Sequence, residues 1–253
     1  MNPETFRWFL IIMAGIALVV FIALYYVKAG YGIFFDKKWG IAINNKIGWL
    51  MMEAPVFLVM LGFWYFSDRR LECVPLVFFL FFEIHYFQRS FIYPFLLKGR
   101  SKMPLGIMSM GIFFNLLNGT MQGEWIFYLS PADRYTLDWL TTPQFIIGSL
   151  LFFAGMTVNI HSDYIIRHLR KPGDTGHYLP QGGFFRYVTS ANYFGEIVEW
   201  CGFALLTWSW AGAVFAWWTA ANLIPRADRI YHRYREMFGE QVGKRKRIIP
   251  FIY

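Results

Sequence analysis

Two cysteines in 253 residues, Cys73 and Cys201, both lie within or beside apolar stretches, which excludes a disulfide-stapled scaffold. Charge is scarce at 16 % of residues, and acidic groups are outnumbered, 16 against 24 Lys and Arg. The five histidines (His85, His161, His168, His177 and His232) never adopt a metal-ligand spacing. His161 and His168 share a helical face, but no carboxylate or thiol completes a site, so no metal is expected. No Gly-x-Gly-x-x-Gly follows a strand, and neither Gly-x-x-x-x-Gly-Lys nor Gly-x-Ser-x-Gly occurs. A Rossmann domain, a P-loop and an α/β-hydrolase elbow are thereby set aside. Internal repeats and low-complexity tracts are missing as well, and one domain, 1–253, accounts for the chain.

Apolar residues are abundant instead, at 57 %, with 21 % aromatic. Phe6 to Val27 holds a single charge, Arg7, and is long enough for a hydrocarbon core of about 30 Å. It has neither a basic leader nor a small-residue cleavage site, so it reads as a retained span. Further spans are predicted at Ile47–Phe66, Cys73–Leu96, Leu105–Tyr128, Pro143–Ile160, Tyr193–Thr207 and Trp208–Leu223. Only Thr207-Trp208-Ser209-Trp210 separates the last two, and six spans is the rival count. Seven spans put 19 Lys and Arg on one side and 4 on the other, with Arg89 inside the third span. Six would send the basic tail to the sparse side. The positive-inside rule therefore predicts an all-α, seven-span protein with its amino terminus outside and its basic carboxy terminus cytoplasmic. The net charge of +8 is spread over separate loops, which suits anionic headgroups or a phosphorylated cofactor and argues against nucleic acid.

Ionisable groups inside hydrocarbon cost roughly 2.5–3.5 kcal/mol or more each, so those present need a reason. Glu53, two residues before Pro55, reads as a functional carboxyl facing a cavity rather than one snorkelling to the interface. In the third span, Glu83 and Arg89 read as groups that neutralise charges elsewhere in the bundle. Tyr86, by position alone, reads as an interfacial anchor. The densest polar stretch opens with Asn159-Ile160-His161-Ser162-Asp163 and runs through Arg170, Gln181-Gly182-Gly183 and Asn192 to Glu196 and Glu199. Its arginines, amides and glycines form a polar basin able to donate to phosphates and accept from hydroxyls or an amide.

Asn159-Ile-His-Ser-Asp-Tyr164, Leu169-Arg-Lys-Pro-Gly173, Pro180-Gln-Gly-Gly183, Gly195-Glu-Ile197, Glu199-Trp200 and Ile249-Pro-Phe-Ile252 together resemble the steroid 5α-reductase family. The resemblance reaches forward through His85-Tyr-Phe87, Arg89, Tyr93 and Gly99-Arg100 to Glu53 and Gly30-Tyr-Gly32, about nine tenths of the chain. The length fits the type 2 form better than type 1. The resemblance implies a monomeric membrane reductase, in the endoplasmic reticulum or a bacterial inner membrane, that uses NADPH at a cytoplasmic site. It implies reduction of the C4–C5 double bond of a 3-oxo-Δ4 steroid, with Glu53 and Tyr86 polarising the substrate. It also implies cofactor contacts from Tyr31, Arg100, Asn159, Asp163, Arg170, Asn192, Glu196, Arg226, Tyr234 and Arg245, mainly within 159–253. Departures from the family pattern are Tyr178 in place of Arg, Arg229-Ile230-Tyr231 in place of a histidine cluster, and Met52 beside Glu53 in place of a polar residue. The alternatives are a reductase of another lipid enone (a sterol or polyprenol), a methyltransferase with a similar carboxy-terminal bundle, and a non-catalytic lipid-binding or transport protein.

Overall fold

A computed structural model describes residues 1–27, 30, 34–98, 101–170, 174 and 176–253. The chain is an all-helical bundle whose long rods coincide with the apolar segments. α1 (Pro3–Tyr26) begins where the Asn2 side chain accepts from Thr5 N, with Pro3 in the first turn. α2 (Asn45–Phe66) is capped by Asn44 and carries Pro55 in its interior. Next come α3 (Cys73–Phe87), a π-helical turn at Gln88–Ile92, and the short α4 (Tyr93–Leu96), one continuous helical run. α5 (Leu105–Glu124) also ends in a π turn, Trp125–Leu129. α6 (Pro143–His168) starts behind a Thr142 cap and a first-turn proline. α7 (Ala191–Thr207) and α8 (Trp210–Phe238) complete the bundle.

The break between the last two predicted spans is real. Trp208 takes a left-handed conformation (φ 45°), and Ser209 caps α8 by accepting from Gly212 N. Two helices run past the expected limits: α6 reaches His168 rather than Ile160, and α8 reaches Phe238 rather than Leu223. Polar residues continue both rods, so hydropathy alone could not see them. One small ladder was also not foreseen: β1 (Ala42–Asn44) pairs antiparallel with β2 (Lys102–Pro104), Ile43 opposite Met103.

Among the described residues, three helices (α1, α2 and α6) are long and apolar enough by length and composition to cross a membrane. Their outward surfaces expose Trp8, Ile12, Val19, Leu58 and Leu150, which in water would be an aggregation hazard and in lipid is the required face. α8 is pinned to α1 by indole donors, Trp217 Nε1 to Ala14 O at 3.2 Å and Trp218 Nε1 to Met13 O at 2.8 Å.

α6 and α7 form the most extensive helix pair in the bundle. The cause is four glycines, Gly148 and Gly155 on α6 facing Gly202 and Gly195 on α7. A Cβ at Gly155 would strike the Glu199 backbone, and one at Gly195 would strike that of Asn159. Small residues thus let the two backbones touch. That approach carries the polar residues of both helices into a single buried layer. Across it, Phe82, Phe152, Trp200, Phe203 and Phe215 interlock, with Trp200 and Phe215 ring centroids 4.4 Å apart.

Candidate functional site

α3 and the π turn that follows it aim three polar side chains, His85, Tyr86 and Arg89, at neighbouring helices. His85 Nδ1 lies 2.7 Å from Glu199 Oε1 on α7, and that carboxylate is fully buried with its second oxygen unpartnered among the described residues. Tyr86, also buried, accepts at its phenol oxygen from Asn118 Nδ2 of α5 at 3.0 Å. Arg89 sits in the π turn, which offsets it from an ideal helical face. Its Nη1 donates to Asp163 Oδ2 at 3.2 Å, and its Nη2 lies 3.7 Å from Glu196 Oε2. The guanidinium also packs against the rings of Trp49 at 4.8 Å and Tyr93 at 4.5 Å.

Glu53 reaches the same centre from α2, accepting from Asn115 Nδ2 at 3.1 Å. It feels the charges of Arg89, Glu196 and His85, and Tyr86 feels Glu53 in turn. The two expected substrate-polarising groups therefore share one electrostatic environment, backed by the carboxamides of α5. Those carboxamides were not picked out from the sequence. Asn115, Asn118 and Gln122, at i, i+3 and i+7 on one face of an apolar helix, are the signal that was there to find.

Of the expected cofactor contacts, four converge. Asn159 Nδ2 donates to Asn192 O at 2.9 Å and to Glu196 Oε2 at 3.4 Å, and Asn192 Nδ2 donates to Asp163 Oδ1 at 3.2 Å. Arg89 closes this cluster electrostatically, as its neutralising role requires. Glu83 differs from expectation: both carboxyl oxygens are buried and meet no hydrogen-bond partner among the described residues. Arg226 lies over the Tyr193 ring at 5.4 Å, one residue from Asn192. Arg170 is exposed and acts electrostatically on Tyr234 and Tyr178. Arg245 bonds the loop before α7, donating to Pro180 O at 3.2 Å and Gln181 Oε1 at 2.6 Å, and burial pulls its guanidinium below the ordinary value. Tyr178 donates to Asp174 at 2.7 Å, which raises its phenol. Tyr31 and Arg100 lie outside the described residues.

The donor set suits a polar, phosphorylated ligand. Arg167 Nη1, Ser162 Oγ and Ser190 Oγ are buried without hydrogen-bond partners among the described residues, on or beside the helices that hold Asp163 and Asn192. The Gly182-Gly183 turn, at φ 83° and 47°, folds against His161, where a Cβ on Gly183 would come within 2.8 Å of the imidazole. The carboxy-terminal segment clamps the same region from the other side: Thr189 N donates to Lys246 O at 2.9 Å and Ser190 N to Arg247 O at 3.1 Å. Among the described residues, no group of three His, Cys, Asp or Glu could hold a metal ion.

Comparison with known proteins gives the family of the chain. The profile of the family described as 3-oxo-5-alpha-steroid 4-dehydrogenase matches residues 101–253. The 3-oxo-5-alpha-steroid 4-dehydrogenase 1 of Homo sapiens is 45 % identical over 214 residues, covering 83 % of this chain and 81 % of the relative. The type 2 protein of Sus scrofa is 39 % identical over 244 residues, 95 % of this chain and 94 % of the relative. The steroid 5-alpha-reductase DET2 of Gossypium hirsutum is 38 % identical over 259 residues, covering 100 % of this chain and 99 % of the relative. With relatives in animals and a plant aligning along most of its length, this apolar helical chain belongs to the 3-oxo-5-alpha-steroid 4-dehydrogenase family of membrane oxidoreductases.

Proposed function

We propose that the protein reduces the C4–C5 double bond of a 3-oxo-Δ4 steroid with NADPH, using Tyr86 and Glu53 to polarise the substrate carbonyl. The observation that carries this reading is one buried arrangement: Tyr86 and Glu53 beside the α5 carboxamides, continuous through Arg89 with the Asn159–Asp163–Asn192–Glu196 cluster. An aromatic wall of Phe82, Trp200 and Phe203 adjoins it, apolar enough for a sterol ring system.

NADPH, when bound, would supply the hydride that reaches C5. As C5 is attacked, the C4–C5 π electrons move toward the C3 oxygen and charge develops there. The Tyr86 hydroxyl donates to that oxygen, and Glu53 stands behind it. Such a donor stabilises the transition state more than the ground state, which is what lowers the barrier. One well-placed donor in a dry site contributes about 2.7–4 kcal/mol. A proton added at C4 completes the product, two hydrogens heavier than the substrate.

Asn159, Asp163, Asn192 and Glu196 would hold the polar parts of the cofactor, with Arg170, Arg226, Tyr234 and Arg245 contributing from the tail and the loop after α6. Arginines favour the phosphates because their planar fork donates two bonds at once, and a 2′-phosphate contact would select NADPH over NADH. The seven rods and the basic loops support a seven-span monomer in the endoplasmic reticulum or a bacterial inner membrane, its amino terminus outside and the cofactor site cytoplasmic.

The test is NADPH oxidation by detergent-purified protein with testosterone or progesterone, products separated by mass spectrometry. Tyr86→Phe is expected to bind NADPH normally and lose about 10²- to 10³-fold in turnover. A Tyr86→Phe protein that reduces the enone at the wild-type rate would sink the assignment. Folded wild-type protein that never binds NADPH would sink the reductase reading itself.

A further inference from the structure

A phenol can serve a substrate carbonyl only if its own proton is not already committed, and the structure settles that question one hydrogen bond at a time. Ala211 O, on α8, is a backbone carbonyl and can only accept. Gln122 therefore turns its amide nitrogen toward it, Nε2 to Ala211 O at 3.0 Å. The same NH2 group lies 3.5 Å from Asn118 Oδ1, so the oxygen end of Asn118 is the end facing Gln122. The nitrogen end is left facing the phenol, and Asn118 Nδ2 donates to Tyr86 Oη at 3.0 Å. Had the amides stood the other way, Tyr86 would donate to Asn118 and its proton would be spent inside the protein.

Glu53 is oriented by the same rule one turn earlier. Met52 O, again only an acceptor, fixes Asn115 Nδ2 at 2.8 Å, and the same nitrogen donates to Glu53 Oε2 at 3.1 Å. Asn115, Asn118 and Gln122 are one face of α5, and all three are buried. All three donate through their NH2 groups, while Gln122 Oε1 is buried with no hydrogen-bond partner among the described residues.

We infer that this carboxamide face of α5, and Asn118 above all, positions Tyr86 by donating to its oxygen, so that the phenolic proton is held free for the C3 carbonyl of the substrate. The inference rests on the reading of Tyr86 as the substrate donor. Asn118 is a positioning residue: it touches Tyr86, not the substrate. Two consequences distinguish this from a packing role. Its loss should lower kcat and leave KM and NADPH affinity alone, and that loss should vanish once the phenol is gone.

The experiment is a double-mutant cycle on the full-length protein in detergent, with NADPH and testosterone as probes and residual turnover read by mass spectrometry. Asn118→Leu is expected to lower kcat roughly tenfold or more, with KM and the NADPH Kd within about twofold of wild type. Adding it to Tyr86→Phe should lower kcat no further. Wild-type kcat in Asn118→Leu, alongside a disabled Tyr86→Phe, overturns the positioning role and leaves the reading of Tyr86 standing. An equal loss in both backgrounds also overturns it, because the damage would then not pass through the phenol. A fully active Tyr86→Phe overturns the reading of Tyr86 and this inference with it. Should Asn118→Leu not fold, Gln122→Met, one bond further out, carries the same expectation with the same cycle.

Discussion

At the scale of single residues, the site depends on how each buried charge is answered. Arg89 faces two carboxylates and two aromatic rings at once. Removing one partner from a buried ionic cluster costs about 3–5 kcal/mol, chiefly because the remaining charges are stranded. Arg89→Met should therefore lower the melting temperature in detergent sharply and weaken NADPH binding together. Arg89→Lys should recover only part of either, since a point ammonium cannot reach Asp163 and Glu196 while lying flat against Trp49 and Tyr93. A melting temperature for Arg89→Met equal to wild type would show that Asp163 and Glu196 do not need it. The sequence made Asp163 and Glu196 visible as polar groups in an oily chain, because charge in a membrane span is conspicuous. Their partner was less visible: Arg89 precedes Asp163 by 74 residues, and only the packing of α3 and its π turn on α6 brings them together. Asn118 was missed for a different reason, as a neutral amide interrupts hydropathy far less than a carboxylate does.

At the scale of elements, the seven apolar segments were legible because each is a run of residues that water would reject. Their ends were not, because α6 and α8 continue on polar residues through ordinary helix propensity. What hydropathy also hides is how close two rods lie. Gly148, Gly155, Gly195 and Gly202 read as glycines in apolar helices, yet together they set the distance between α6 and α7. Gly155→Ala drives a methyl into the backbone at Glu199, and overpacking of this kind costs about 1–3 kcal/mol. Gly15, on α1, has nothing within 4 Å of its added Cβ. Gly15→Ala should then be neutral or stabilising by up to about 1 kcal/mol, as expected for alanine in a helix. Thermal unfolding of the pair, with NADPH titration of each, checks the contrast. Equal stability and equal affinity would mean that the α6–α7 contact does not set the geometry of Asn159 and Glu196.

At the scale of the whole molecule, the arrangement has a direction. Asp163, Arg170, Arg226 and Arg245 crowd the end of the bundle where α6 closes, α7 opens and the carboxy-terminal segment returns. The opposite end carries Arg69, bonded to Glu72 and Ser130, and Arg134 packed on Trp125, Tyr135 and Trp139. On the proposed reading a soluble phosphorylated cofactor would enter from the first end, and a lipid-soluble substrate would arrive through the membrane. Orientation is then a condition on function, because the basic end would have to face the compartment that supplies NADPH. With Cys73 and Cys201 replaced by serine, a single cysteine at Asp68 should react with a membrane-impermeant maleimide in right-side-out vesicles. One at Glu240 should react only when the vesicles are inverted or opened. Labelling of both positions from the same side would require an even number of crossings between them, and the seven-span arrangement would fall. Labelling from opposite sides but with Glu240 outside would keep the crossings and reverse the protein, leaving the basic end without access to NADPH.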